Sequence, residues 1–272
     1  MEWHALRGGG NRPQFRNANL NLAAWLPSRL AAKKAAFTLA EVLITLGIIG
    51  VVAAITLPTL IKNYQKQVWV NQLKKTYSTL NEGFKQIVVS EGCTTLECTG
   101  LSEDDDYSVF DFTKAKTKEK FVKTFKLGNV YVGSDMPDNS IYSYKTKYFN
   151  GDEANFSDWC MHDESSLVGT TSNGEIISLF VGYGTWILVD INGLKSPNTW
   201  GRDIFLFSYF DINDTVMVTP CYSKKWNEFF KNFSSEEERI REINMDCSVT
   251  NDGLSGMACA EKIIMDGWKM NY

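Results

Sequence analysis

The stretch AAFTLAEVLITLGIIGVVAAITLP, residues 35–58, decides how the rest of the chain is read. From Phe37 to Leu57 it holds one charged residue, Glu41. At about 1.5 Å rise per helical residue, roughly 20 such residues reach about 30 Å, the hydrocarbon thickness of a bilayer. A buried core helix and an ordinary secretory signal are the plain alternatives. A signal's apolar region runs about 7–15 residues and ends at a small-x-small cleavage site. Here the run is longer, and the small residues Ala35 and Ala36 come before it, directly behind Lys33 and Lys34. That order predicts processing ahead of the apolar segment, which then stays on the mature chain.

Glu41 is the exception inside the run. A carboxylate at the bilayer centre costs roughly 2.5–3.5 kcal/mol on insertion scales, so such acids tend to be paired and functional. In the first turns of a helix the N-terminal dipole returns about 0.3–1 kcal/mol, and closeness to the headgroups lowers the cost further. A tolerated interfacial acid is the plain alternative to a functional one.

Order, spacing and lone charge together resemble the N-terminal signature of type IV pilins and of the pseudopilins of type II secretion. The resemblance covers about 55 of the 272 residues. It implies cleavage of a 36-residue leader between Ala36 and Phe37, with methylation of the new N-terminus at Phe37. Thr38 and Leu39 match the usual continuation, Glu41 the family's carboxylate, and Pro58 a proline common at the end of the apolar half of the helix. The chain departs from the pattern in two ways: Ala36 stands where Gly is usual, and the leader is long. The resemblance also implies that Glu41 of one subunit meets the α-amino group of Phe37 on its neighbour. An acid facing an amine fixes axial register, whereas an unpaired acid in a filament core is costly. The implied partners are other pilin or pseudopilin subunits, a prepilin peptidase and N-methyltransferase, an inner-membrane assembly platform and the lipid bilayer.

Charge supports the orientation. The leader holds six basic residues (Arg7, Arg12, Arg16, Arg29, Lys33 and Lys34) and one acid, Glu2. The whole chain has a formal net charge of −4, so the remainder carries −9. Positive flanks stay cytoplasmic, which puts everything after Pro58 outside. The acidic exterior argues against a dedicated nucleic-acid binder. All six cysteines, Cys93, Cys98, Cys160, Cys221, Cys247 and Cys259, lie beyond the membrane segment. An even number outside suits disulfides in an oxidising compartment. The expected pairs are Cys93–Cys98 and Cys247–Cys259, leaving Cys160–Cys221. A zinc site is the rival, weakened by the absence of a CxxC pair and by His162 being the one histidine outside the leader.

Beyond Pro58 the helix continues as an amphipathic half, residues 59–92. Val70, Leu73, Tyr77, Leu80, Phe84 and Ile87 recur in steps of three and four and form one stripe. Lys74, Lys75, Asn81, Glu82 and Lys85 are expected on the other faces. Pro58 removes a hydrogen bond to residue 54 and is expected to loosen the rod there. Residues 93–272 read as an exterior globular domain. Cys93–Asp106 is loop-like, and Thr113–Phe125 reads as a short helix. Strands are expected at Asn129–Val132, Ile141–Phe149, Leu167–Thr170, Glu175–Val181, Thr185–Ile191, Ile204–Phe210 and Thr215–Thr219, with a turn at Asn173-Gly174. The tail from Ser234 opens with SSEEER, a capped helix start, and ends in an aromatic segment that docks on the domain. The fold class is α+β: one long helix against a mainly antiparallel sheet, pilin-like, with one core.

The best local motif in the exterior is DINGLKSPNTWGRD, residues 190–203. Asp190, Asn192, Asn198 and Asp203 offer hard oxygens of the kind calcium takes in sets of about 6–8. The spacing is not that of an EF-hand, and a turn whose Asp and Asn side chains bond their own backbone is the favoured reading. His162 sits beside Cys160, Asp163 and Glu164 without a G-x-S-x-G elbow, a phosphate loop or an HExxH helix. The run Asp104–Asp106 reads as a solvated loop. Trp159, Trp186, Trp200, Trp226 and Trp268 read as core and interface rather than a sugar platform. The expected function is that of a filament subunit, minor or specialised because the exterior domain is large. A membrane-anchored binding module or adhesin that does not polymerise is the second reading, and a surface enzyme the third.

Overall fold

The computed structural model describes residues 37–101, 110–137, 140, 142, 144–155, 166–182, 184–212, 215–230, 232–251 and 255–272. Ala36, Asp104–Asp106, Trp159, Cys160 and His162 lie outside the described residues.

Helix α1 runs Leu39–Ser90 without a break at Pro58. Residues 55–272 form one compact unit. In it, helix α2 (Ala115–Phe125) precedes strand β1 (Gly128–Val132), then a two-stranded hairpin of β2 (Lys145–Lys147) and β3 (Glu153–Asn155). Strands β4 (Leu167–Thr170), β5 (Ile176–Gly182), β6 (Gly184–Asp190), β7 (Ile204–Ile212) and β8 (Thr215–Pro220) follow. Helices α3 (Lys224–Phe230), α4 (Glu236–Asp246) and α5 (Cys259–Met265) close the chain. Among the described residues the main sheet has six strands in the order β1-β4-β5-β6-β7-β8, every pair antiparallel. The expected α+β fold is what forms. Asn173-Gly174 does close β4 to β5, with Gly174 at φ 87° and its N–H donating to Thr171 O at 2.9 Å.

The sheet is buried on both faces. Side chains alternate across a strand, so Leu167, Ile177, Leu179, Ile187, Val189, Phe205 and Phe207 face one core, and Val168, Ile176, Phe180, Leu188, Ile204 and Leu206 another. The single core expected from length is therefore two. The helical stripe joins the first: Val70, Leu73, Leu80, Phe84 and Ile87 are buried, with Tyr77 packed at its margin. Phe84 meets Tyr209 at 5.0 Å, Phe121 at 5.7 Å and Phe125 at 5.7 Å between ring centroids. Full burial of such a side chain stabilises by about 1.5–3 kcal/mol. Gly83 lets α2 approach, because a Cβ there would lie 2.3 Å from Phe125 Cε1.

Three further expectations need correction. Asn81 is not on a solvent face: its Nδ2 donates to Val218 O (3.2 Å) and its Oδ1 accepts from Val218 N–H (2.9 Å). It thereby satisfies backbone of the edge strand β8, which would otherwise present open groups. Of the strand expected at Ile141–Phe149, the described residues form strand only at Lys145–Lys147, which pairs with β3 outside the main sheet. Cys221, expected in a disulfide, is instead a free thiol buried with Trp200, Leu206 and Val168, and its expected partner Cys160 lies outside the described residues. The other two disulfides, Cys93–Cys98 and Cys247–Cys259, are formed.

The tail docks as expected. Ser235 caps α4 by accepting from Glu238 N–H (3.1 Å). Arg239, almost fully buried, bonds Glu236 (2.8 Å), Glu261 (2.9 Å) and Tyr222 O (2.6 Å), tying α4 to α5. The Arg239 guanidinium draws the exposed Glu236 carboxyl down to about 2.

Candidate functional site

The N-terminal segment carries the first site. Thr38 is the residue before α1, and Glu41 is the third residue inside it. The Glu41 N–H donates to Thr38 Oγ1 (3.2 Å), while Glu41 Oε2 accepts from Thr38 N–H (2.8 Å) and Thr38 Oγ1 (2.9 Å). This is a reciprocal capping box, T-x-x-E. The T-x-x-E spacing of Thr38 and Glu41 is the signal of this box in the sequence. Within the single chain, then, Glu41 secures the start of its own helix. Phe37, Leu43, Ile44, Ile48, Ile49 and Val51 are all at least 60 % exposed, far more apolar surface than a soluble protein leaves in one patch. Among the described residues, α1 is long and apolar enough to cross a membrane. Pro58 lies inside that helix.

The second site is the loop of residues 190–203, between β6 and β7. It lies along β2: Lys147 N–H donates to Asn198 O, and Trp200 N–H to Lys147 O, both at 2.9 Å. Asp190 and Asp203 are fully buried. Asp190 accepts from Tyr144 O–H (2.6 Å) and Asn192 N–H (3.1 Å). Asp203 accepts from Thr199 N–H (2.6 Å), Asn198 N–H (2.9 Å) and Asn192 Nδ2 (3.0 Å). The self-bonded turn is thus the observed arrangement. Gly193 is required in it, since at φ 66° a Cβ would stand 2.2 Å from Gly174 O. Burial pushes Asp190 up to about 8 and Asp203 up to about 6.

Two features of the loop exceed what a turn needs. Asn192 Oδ1 and Asn198 Oδ1 are buried without a hydrogen-bond partner. No cationic side chain bonds either acid among the described residues. Each carboxylate has about four lone-pair sites, so neither is saturated by these donors. Two orphaned amide oxygens beside two buried acids fit a hard cation by donor chemistry.

Trp159 lies outside the described residues, and Trp186, Trp200, Trp226 and Trp268 are structural. Trp200 and Trp226 are buried. Trp186 stacks on Phe230 at 6.0 Å, and Trp268 meets Tyr77 at 6.1 Å with Lys74 over its ring.

Comparison with known proteins gives two matches. Residues 31–57 match the prokaryotic N-terminal methylation motif, which makes the chain a type IV pilin- or pseudopilin-like precursor. The proteins bearing that motif are structural. No curated protein and no solved structure matches the chain. Residues 59–272, most of the chain and all of its folded body beyond the apolar run, match a second profile, and the chain therefore belongs to the family described as family of unknown function DUF6613.

Proposed function

We propose that the chain is a subunit, minor or specialised in role, of a type IV pilus-like or type II secretion pseudopilus filament. One observation carries this reading: an uninterrupted helix whose first half exposes its apolar side chains all round and whose lone acid stands four residues after Phe37. A prepilin peptidase cuts between Ala36 and Phe37, and the apolar half of α1 holds the subunit in the inner membrane with residues 59–272 outside. An assembly platform then extracts it into the fibre. During assembly Glu41 exchanges its own capping contacts for the α-amino group of a neighbour's Phe37.

Two substitutions separate capping from pairing. Glu41→Gln keeps the capping box, because Gln serves at that position, but loses the charge; Glu41→Leu loses both. Both variants insert into membranes and neither enters filaments. Filament incorporation of Glu41→Gln at the normal level would overturn the pairing role.

The orphaned amide oxygens favour one further reading of the loop. We propose that Asp190, Asn192, Asn198 and Asp203 hold a calcium ion, which supplies positive charge to the two buried acids. Calcium then raises the melting temperature of the chain, and a chelator lowers it. An unchanged melting temperature in both would remove the ion from the account.

A further inference from the structure

We propose that a basic groove beside α1 holds the phosphate headgroup of an anionic phospholipid while the chain sits in the membrane; this rests on the membrane insertion of α1. From Thr59 to Asn81 the helix carries four lysines, Lys62, Lys66, Lys74 and Lys75, and no acid. Lys62 and Lys66 share a face at i, i+4. They lie five and nine residues beyond Leu57, roughly 8 and 14 Å along the helix axis. A bilayer's hydrocarbon is about 30 Å thick and its full width about 40–45 Å, so Lys62 falls at headgroup depth.

The fold brings a third cation to the same place. The 190–203 loop delivers Ser196 and Arg202, and the C-terminal segment delivers Tyr272, to a cavity of about 470 Å³ that Lys62, Lys66 and Trp69 also line. Among the described residues no carboxylate side chain lines it. Arg202 is held with its guanidinium 5.4 Å from the centre of the Phe149 ring. Tyr272 O–H donates to Gly201 O (2.7 Å), and Lys66 Nζ bonds the Tyr272 main-chain oxygen. A second cavity that Lys66 also lines adds Lys269, again with no carboxylate side chain among the described residues that line it.

The chemistry selects a lipid phosphate. Guanidinium and ammonium groups together bind phosphate oxygens by charge-assisted hydrogen bonds. Trp and Tyr side chains favour the membrane–water boundary. The residues after the leader carry −9 in total, so an anionic membrane repels the body as a whole. A local cluster of cations with no Asp or Glu side chain beside it among the described residues, placed within three turns of the apolar run, opposes that repulsion where headgroups lie.

The test uses the full chain in nanodiscs of phosphatidylcholine with a minority of phosphatidylglycerol. After gentle detergent extraction, the lipid that stays bound is quantified by mass spectrometry. The wild type retains phosphatidylglycerol enriched severalfold over the disc, and Lys62→Gln/Lys66→Gln/Arg202→Gln falls to the disc ratio. Lys74→Gln/Lys75→Gln, outside the groove, stays enriched. Millimolar inorganic phosphate, which competes for a bare anion site, leaves the enrichment unchanged. Lys62→Gln alone, at an exposed position, lowers enrichment severalfold and covers the case in which the triple variant misfolds. A wild type at the disc ratio, equal retention by the groove variants, or displacement by phosphate would overturn the groove. Flotation of the same chain with vesicles reports insertion separately: failure to float sinks the membrane reading, and floating without enrichment sinks the groove alone.

Discussion

The two halves of α1 have the same backbone and opposite surroundings. From Phe37 to Leu60 its large apolar side chains stand exposed in the single chain; from Val70 to Val88 the helix buries one stripe and leaves the rest polar. The first half is apolar on every face, so no orientation could hide it in one domain, and its partner must be lipid or other helices. The second half is apolar on one face and finds its partner in its own sheet. Helicity is common to both, and what differs is how many faces need covering.

Mutations can break this comparison. The largest effect is expected at Phe84, buried among four aromatic rings. Phe84→Ala lowers the stability of the folded body by about 3–5 kcal/mol in denaturant titration. Ile49→Ala, equally apolar and on the same helix, leaves that titration unchanged. A comparable loss at both sites would erase the distinction. Gly83→Ala drives a methyl into Phe125 and costs about 1–3 kcal/mol. Asn81→Ala strips both contacts from Val218 and costs about 1–2 kcal/mol, with faster amide exchange at Val218.

The smallest effect concerns pH. Burial holds Asp246 up to about 6, above its ordinary 3.8, although it accepts from Ala258 N–H (2.6 Å) and Gly256 N–H (3.2 Å). The folded chain therefore keeps a proton that the unfolded chain gives up. This contribution is complete below about pH 4 and is lost as pH rises through about 6. Asp246→Asn cannot titrate, so the fall in melting temperature between those values becomes shallower. An identical slope in both proteins would show that Asp246 does not set it.

Much of this was legible in the sequence. The three-and-four spacing located the buried stripe, and the strand-forming runs between turn residues in 167–219 located most of the sheet. Asn81 shows what periodicity conceals: at i+4 from Tyr77 and i−3 from Phe84 it lies on the apolar face, and polarity alone assigned it elsewhere. Arg239 was hidden for the same reason, since a charged side chain is buried only when its partners are folded around it. Cys221 could not be separated from the paired cysteines, because spacing does not report which thiols meet. At the candidate sites the sequence supplied the residue types. It did not reveal that Glu41 caps its own helix, or that two amide oxygens of the 190–203 loop stay unpartnered. Nor could it show that Arg202 joins Lys62 and Lys66 across more than a hundred residues.

The central claim is that the apolar half of α1 survives maturation and begins the mature chain. Mass spectrometry of the N-terminal peptide from native membranes tests it directly. The account predicts a chain starting at Phe37 and heavier by one methyl group; a chain starting downstream of Pro58, or retaining the residues before Phe37, would contradict it.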